Sequence, residues 1–242
     1  MIKFFRKTRQ NFIMNNQSSK YFKYAIGEIV LVVIGILIAV SINDWSESRK
    51  QKQELENIYS IIKTDLSNDM DHIDSVISGY QKRESILNNI LDGKLTREDY
   101  YNCDFCSRVI IGYEDLTINK NGYNLLAKYN NNSNSYVDPL QQNIMQFYTK
   151  QMVELHADDV IIAEDLRSNY KDWKNNYTWY PDFITKKNLD GFIEYAINNP
   201  DYKNRVANFY FLHIKVYVPL LKNFNKEAKI ILDEIKKRLE ND

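Results

Sequence analysis

The pattern of apolar and polar positions begins with one long apolar segment and then takes a helical spacing. Residues 25–42 read AIGEIVLVVIGILIAVSI and contain a single charged side chain. A helix rises about 1.5 Å per residue, so about 20 apolar residues cross the hydrocarbon core of a bilayer. The segment therefore predicts a transmembrane helix, with a leader over residues 1–24 and a domain over residues 43–242 on either side of it.

Beyond this segment, apolar residues recur mostly every three or four positions, which is the spacing of one buried helix face. No proline interrupts this pattern from Leu55 to Asp92–Gly93, so the transmembrane helix is predicted to continue into a long helix. Further helices are predicted over residues 97–109, 123–129, 139–175, 187–198 and 201–239. Pro219 should kink or split the last of these. The predicted fold class is all-α, with an N-terminal transmembrane helix and a helical-bundle ectodomain.

The charges on either side of the apolar segment predict its orientation. Six basic residues and no acidic residue precede it: Lys3, Arg6, Lys7, Arg9, Lys20 and Lys23. Three follow it closely: Arg49, Lys50 and Lys52. The positive-inside rule therefore places the amino end in the cytoplasm and residues 43–242 outside it. The basic leader is expected to meet anionic lipid headgroups of the bilayer.

The net charge of residues 43–242 argues against nucleic acid as a partner. Residues 43–242 contain 26 Lys/Arg against 31 Asp/Glu, which gives this part a net charge of about −5. Binding to nucleic acid usually needs a basic stripe or patch. A mildly acidic domain therefore favours other partners.

A cleaved signal peptide is the alternative to a permanent anchor. Ala39 and Ser41 are small residues at a plausible spacing for cleavage. The leader is long, however, and the apolar run exceeds the usual length of about 7–15 residues for a secretory core. These lengths favour an uncleaved anchor.

Glu28 is the ionisable residue of the apolar segment. At about 100° per residue, Gly35 and Ala39 lie within about 20° of its face. Small residues aligned with a polar one allow membrane helices to approach and form hydrogen bonds. Two hypotheses stay open: the span associates with a second copy or another membrane protein, or Glu28 is a charge tolerated near the cytoplasmic edge.

The motifs KFFRK and YAIGEIVLVVIGILIAVSINDW resemble an uncharacterised family of bacterial single-pass membrane proteins, a domain-of-unknown-function family. Members share a basic start, a span close to YAIGEIxLVxIGILIAxxIxxW and a mostly helical region after it. The stretch NGYNLLAKYNN is similar to a recurring part of that region. The resemblance implies an inner-membrane anchor and a periplasmic domain. It implies no activity, cofactor or catalytic residue.

The motif CDFC, formed by Cys103 and Cys106, has three interpretations. It is a local disulfide or a pair of unreactive thiols, a redox dithiol, or half of a zinc site. A thioredoxin-like site would follow a strand, whereas this pair lies in a predicted helix, and no second C-x-x-C completes a zinc site. The first interpretation is therefore favoured.

Other candidate chemistry is sparse. Asp65, Asp69 and His72 share a helix face, and His156 lies one turn from Asp159, but neither set matches a recognised metal motif. A solvated acidic face is the favoured interpretation of each. His213 lies among aromatic residues and is predicted to be packed. No cofactor is expected, because no phosphate-binding or dinucleotide motif is present.

Aromatic residues gather where the helix over residues 139–175 ends. They are Trp173, Tyr177, Trp179, Tyr180 and Phe183. Such a group forms either a binding surface for a sugar or peptide, or a plug in the core of the bundle, and the plug is favoured.

Two functions remain open from the sequence. The favoured one is a membrane-anchored helical module, without enzymatic activity, that binds a partner or an envelope ligand. The alternative is a periplasmic redox protein or enzyme that uses Cys103 and Cys106 or an unrecognised acidic site. An apolar groove on the bundle would support the module, and a pocket with converging titratable groups would support the enzyme.

Overall fold

The computed structural model describes residues 18–103, 105–112, 116–132 and 139–240, and these residues form helices, turns and loops without a strand. The leader residues 1–17 lie outside this description. The chain divides into two compact units, residues 1–56 and residues 57–242. Helix α1, Ser18–Leu91, begins in the first unit and ends in the second. The predicted all-α fold, with an apolar helix that continues into a long helix before a bundle, is confirmed.

Shorter elements follow α1, and most begin or end at the proline, glycine or polar residues that the sequence places there. In chain order they are α2 (Arg97–Asn102), a 3₁₀ turn (Cys106–Arg108), α3 (Asn121–Asn132), α4 (Pro139–Asn176), α5 (Tyr180–Ile184), α6 (Asp190–Asn198), α7 (Pro200–Phe209), a π-helix (Tyr210–Tyr217) and α8 (Val218–Glu240).

The core of the second unit forms where α1, α4 and α8 pack side by side. The π-helix and α8 run antiparallel to α1, and α8 also runs antiparallel to α4. The side-chain bonds that fix these directions are Tyr210–Glu84 and Asn225–Asp74 to α1, and Lys150–Glu227 and Asn143–Glu234 to α4. Buried apolar residues between the helices include Ile62, Leu66, Ile73, Ile144, Leu221 and Phe224.

Helix α3 lies directly against the backbone of α1. A Cβ atom on Gly122 would lie 2.4 Å from Cγ1 of Ile62 and 2.8 Å from its backbone nitrogen. Atoms this close would overlap, so a glycine is required for the two helices to meet. The NGYN sequence therefore marks a contact between helices.

The C-terminal helix is split near Pro219, as predicted, and the interruption is a π-helix. The N–H of Val218 donates to the carbonyl of His213, five residues back. Pro219 has no N–H, and in a regular α-helix its ring collides with the carbonyl four residues earlier. The wider π turn lets the helix continue past the proline.

The predicted helix over residues 97–109 is too long. It ends at Asn102, because Cys103 has extended backbone angles (φ −116°, ψ 101°). Val109 and Ile110 are 0% and 1% exposed. The chain leaves the helix early and turns these apolar side chains into the core. Burial of their apolar surface there stabilises the fold more than a longer helix would.

Candidate functional site

The apolar part of α1 is the first candidate functional element. Its large apolar side chains from Ile26 to Ile42 are 46–69% exposed. Among the described residues, this helix alone is long and apolar enough to cross a membrane, and none of its apolar window is buried within the chain. Length and composition are compatible with a membrane span and with a signal sequence. The exposure separates this segment from the core helix of a soluble protein.

The residues singled out on this segment lie on an accessible surface. A Cβ atom on Gly35 would have no heavy atom within 4 Å, and Ala39 is exposed. Glu28 is half-buried. Just after the apolar segment, Trp45 is 65% exposed and the guanidinium of Arg49 lies 5.8 Å from the centre of its ring. An amphipathic pair of this kind suits a headgroup zone.

Asp65 and Asp69 are buried, so the predicted solvated acidic face is wrong for both. They are 7% and 2% exposed. Oδ2 of Asp65 accepts a hydrogen bond of 2.8 Å from the N–H of Gly122, and both carboxylate oxygens of Asp69 accept from the N–H of Asn119 at 3.1–3.2 Å. The first N–H groups of a helix need acceptors, and negative charge is favourable there. Asp65 therefore caps α3, and Asp69 holds the chain two residues before α3 begins.

The protonation of Asp69 is sensitive to its surroundings. Burial raises its pKa to about 6, and the charge of Asp65 adds to this effect, while bonds from Asn119 and the charge of His72 lower the pKa. The hydroxyl of Tyr148, in the same core, is buried without a hydrogen-bond partner among the described residues, and burial together with both aspartate charges raises its pKa. Asp69 is therefore expected to change its charge in mildly acidic solution.

This shift has a consequence for stability. The folded pKa of Asp69 lies above its ordinary value of 3.8, so its contribution is fully present below pH 3.8 and is lost as the pH rises through about 6. Between pH 4.5 and 7.5 the loss is about 2 kcal/mol. We expect Asp69→Asn to remove this term, which urea unfolding across that pH range would measure as a change of slope relative to the parent chain.

Two comparisons make this result specific. His213 contributes with the opposite sign, because burial lowers its pKa to about 3, so its contribution is lost as the pH falls below its ordinary value. Because both proteins contain His213, its contribution cancels when the pH profile of Asp69→Asn is subtracted from that of the parent. Asp71→Asn, at an exposed position of the same helix, is the matched control and should reproduce the parent profile. Parallel curves for Asp69→Asn and the parent would contradict the assignment.

The sets that could have bound a metal are not assembled. The described residues contain no group of three or more His, Cys, Asp or Glu side chains that could hold a metal ion. His72 and His156 are exposed. Asp159 instead accepts a hydrogen bond of 3.0 Å from the hydroxyl of Tyr217.

Cys103 and Cys106 are joined by a disulfide. Cys106 is 5% exposed, whereas Cys103, at the C-terminal cap of α2, is partly exposed. The N–H of Cys106 donates to Sγ of Cys103 at 3.0 Å. Cys103 follows the short helix α2 and Cys106 begins the 3₁₀ turn, so the position of the pair within one helix that the sequence suggested is wrong.

The segment after the disulfide is held to the bundle by side chains that donate hydrogen bonds to its backbone carbonyls. Nη1 of Arg83 donates to the carbonyl of Gly112 at 2.8 Å, and the hydroxyl of Tyr170 donates to the carbonyl of Ile111 at 3.0 Å. The guanidinium of Arg83 also lies 5.1 Å from the centre of the Phe105 ring. These contacts come from α1 and α4 and are independent of the two cysteines.

The aromatic residues at the end of α4 form a packed cluster. Trp173 is fully buried, and its Nε1 donates to the hydroxyl of Tyr195 at 3.1 Å. Rings of Phe183 and Phe192 pack against it edge to face. Trp173 therefore has no surface to offer a ligand. Tyr177, Trp179 and Tyr180 are half-buried at the rim of the cluster.

Arg205 holds this cluster to its neighbours, and the sequence analysis did not identify it. Its Nε donates to Asp201 at 2.8 Å, its Nη1 donates to Asn169 at 2.7 Å, and its Nη2 pairs with Asp172. Its guanidinium lies 5.5 Å from the Trp173 ring centre. Burial opposes the charge, but Asp201 and the other partners outweigh it and raise the pKa of Arg205. In the sequence, the signal for this role was the spacing of four residues between Asp201 and Arg205, which is typical of an ion pair on one helix.

His213 is buried, as predicted, and lies on the π-helix. Its Nδ1 is 3.0 Å from the hydroxyl of Tyr80, and its ring stacks on Phe209 at 3.8 Å. π-helical turns are frequent at functional sites. Here the turn places an uncharged imidazole inside the core.

A shallow groove runs between α4 and α8. Its volume is about 270 Å³, and its lining mixes apolar with polar and charged side chains: Phe147, Ile230 and Ile231 with Asn143, Gln146, Lys150, Glu227 and Glu234. Lys150 and Glu227 are already paired at 2.7 Å. The groove therefore combines the exposed apolar surface of Ile230 with charges that are already paired, which suits contact with another molecule better than acid–base chemistry.

Residues 28–136 match the sequence model of DUF6090, a family of unknown function. The match covers less than half of the chain. No curated protein and no solved structure matches.

The matched region contains the features of α1 to α3. The apolar helix from Glu28, the disulfide and the bonds from Asp65 and Asp69 to the start of α3 all lie within the DUF6090 match. The Arg205 cluster, His213 and the groove lie mostly or wholly beyond residue 136. Because DUF6090 is a family of unknown function, the match assigns no activity to either part of the chain.

Proposed function

We propose that this chain is a single-pass membrane-anchored helical module that binds a partner or an envelope ligand. The observation that carries the proposal is the apolar window of α1, none of which is buried within the chain. Exposed apolar surface of this length is costly in water and favourable in a bilayer. The groove between α4 and α8 supports a binding role for the bundle, since it exposes the apolar side chain of Ile230 beside the paired charges of Lys150 and Glu227.

The proposed location is the bacterial inner membrane, with the amino end in the cytoplasm and residues 43–242 in the periplasm. The basic leader supports this orientation through the positive-inside rule. Trp45 and Arg49, just after the apolar segment, support a boundary at the outer headgroups.

Topology can be tested with a reporter that is active only outside the cytoplasm. Fused after Leu239, it should be active, and the protein should stay in the membrane fraction after alkaline extraction. Activity of a cytoplasmic reporter at the same position would contradict the orientation. An amino terminus near Asn43 on the mature protein would contradict the permanent anchor.

We further propose that the spans associate through the face that contains Glu28, Gly35 and Ala39. The position of Gly35 is open to another helix, because no heavy atom lies within 4 Å of a Cβ built there. Such polar and small-residue contacts contribute about 0.5–2 kcal/mol in a membrane. Glu28→Leu and Gly35→Leu should therefore weaken self-association, and Glu28→Gln should do so less, because an amide still forms hydrogen bonds.

An in-membrane association assay on the full chain tests this proposal. Gly27→Leu is a useful control, since its Cβ also meets open space but the residue lies about 100° away from Glu28 on the helix. Association equal to the parent in all three variants would exclude this face as a self-interface. Glu28 would then contact a different membrane partner or be a tolerated charge at the edge.

A further inference from the structure

We propose that the Cys103–Cys106 disulfide undergoes exchange with the thiols of a protein substrate, with Cys103 as the reacting sulfur and Cys106 as the buried resolving thiol. The proposal concerns a chemical activity of the bundle and does not depend on the anchoring function. It rests on the different burial of the two cysteine residues, on one hydrogen bond to Cys103, and on the way the surrounding segment is held.

The two cysteines differ in access. Cys106 is 5% exposed and is followed by Ser107, which is 4% exposed, because the chain turns into the core at this point. Cys103 is partly exposed, and Tyr101 and Phe105 beside it are 50% and 39% exposed. An incoming thiolate must reach the sulfur that it attacks. Cys103 is therefore the more accessible of the two cysteines, and exposed aromatic residues flank it on both sides in sequence.

A hydrogen bond favours the thiolate form of Cys103. The N–H of Cys106 lies 3.0 Å from Sγ of Cys103 and 3.2 Å from the carbonyl of Cys103, so it is shared between two acceptors. A donor to the charged form of a group stabilises that form. A stabilised thiolate leaves a disulfide readily and is the nucleophilic species when the pair is reduced.

The disulfide contributes little to holding the fold. The stabilisation that a disulfide provides by constraining the unfolded chain grows with loop length, and this loop is very short. The segment that follows is held by Arg83 and Tyr170 through the carbonyls of Gly112 and Ile111. The backbone that supplies the N–H of Cys106 is therefore expected to keep its place when the disulfide opens.

The exchange is balanced with a protein dithiol as the co-reactant. A substrate thiolate attacks Sγ of Cys103, the S–S bond breaks, and Cys106 leaves as a thiolate that takes up a proton. The second substrate thiol loses its proton and attacks the substrate sulfur of the mixed disulfide, and Cys103 leaves as a thiolate. The substrate is oxidised by two electrons to a disulfide, and the cysteine pair is reduced. A substrate disulfide reacts in the reverse direction.

The test compares two variants of the full chain in detergent, each with one thiol. Oxidised glutathione is the probe, and mass spectrometry follows the mixed disulfide. We expect Cys106→Ser, which keeps Cys103, to react at neutral pH about tenfold faster or more than Cys103→Ser. The two rates should become similar in urea. Equal rates in the folded state, or faster reaction of Cys103→Ser, would overturn the proposal.

A second measurement separates chemistry from folding. Circular dichroism of both variants should match that of the parent. The oxidised parent, mixed with reduced and unfolded pancreatic ribonuclease, should lose its disulfide while the ribonuclease gains one. In a second reaction, Cys106→Ser should accumulate a mixed disulfide with glutathione-treated ribonuclease. An oxidised parent that stays unchanged beside this dithiol substrate would show that the disulfide is inert and would also overturn the proposal.

Discussion

Replacing Trp173 with alanine should remove about 3–5 kcal/mol from the free energy of unfolding. Trp173 is fully buried at the centre of the aromatic cluster. The substitution leaves a large cavity among the rings of Phe183 and Phe192, and it removes the donor to the hydroxyl of Tyr195. A domain has only about 5–15 kcal/mol of stability, so this loss brings the chain close to unfolding.

Urea unfolding of the full chain in detergent, followed by circular dichroism, measures the effect as a shift in midpoint. Trp45→Ala is the matched control, because Trp45 is 65% exposed and its loss should leave the midpoint of the bundle unchanged. A Trp173→Ala protein with the midpoint of the parent would show that the cluster is a surface feature.

Replacing Gly122 with alanine should destabilise the bundle by about 1–3 kcal/mol, although alanine is the better helix former. The new methyl group would meet Cγ1 of Ile62 at 2.4 Å and the backbone nitrogen of Ile62 at 2.8 Å. The backbone cannot move aside as the end of a flexible side chain can. Helix α3 must therefore shift away from α1, which also lengthens the hydrogen bond from Gly122 to Asp65.

The sign of this effect makes it a strict test. At an open helical position, replacement of glycine by alanine stabilises by about 0.5–1 kcal/mol. Gly112→Ala supplies the control for added bulk, since no heavy atom of the described residues lies within 4 Å of a Cβ at that position. A lower midpoint for Gly122→Ala alone is the expected result in urea unfolding. A higher midpoint for Gly122→Ala would show that α3 and α1 are not in contact there.

The elements that the sequence predicted well are those with strong local signals. Pro139 at the first position of α4 and the apolar spacing after it predicted a helix to about Asn175, and the structure has Pro139–Asn176. Pro219 similarly predicted the interruption of the last helix. Proline restricts its own backbone and removes a donor, so its effect does not depend on distant residues.

The site residues were harder to predict, because their partners lie far away in sequence. Asp65 and Asp69 have the spacing of a solvated acidic face, and their hydrogen-bond partners, Gly122 and Asn119, lie 57 and 50 positions later. Arg205 gave only a local ion-pair signal with Asp201, while its contacts to Asn169 and Asp172 join separate helices. Periodicity describes one helix at a time and cannot report these pairings.

The capping of α3 by α1 also limits how the length of α1 can change. From neighbouring turns of one helix, Ile62 and Asp65 meet Gly122 of α3, and Asp69 meets Asn119 just before α3. One inserted residue between Ile62 and Asp65 would rotate the two carboxylates by about 100° relative to Ile62. The bonds of Asp65 to Gly122 and of Asp69 to Asn119 would then be lost together. The number of residues in this stretch of α1 is therefore constrained. A substitution at an exposed position is tolerated there, and an insertion or deletion of one residue is not.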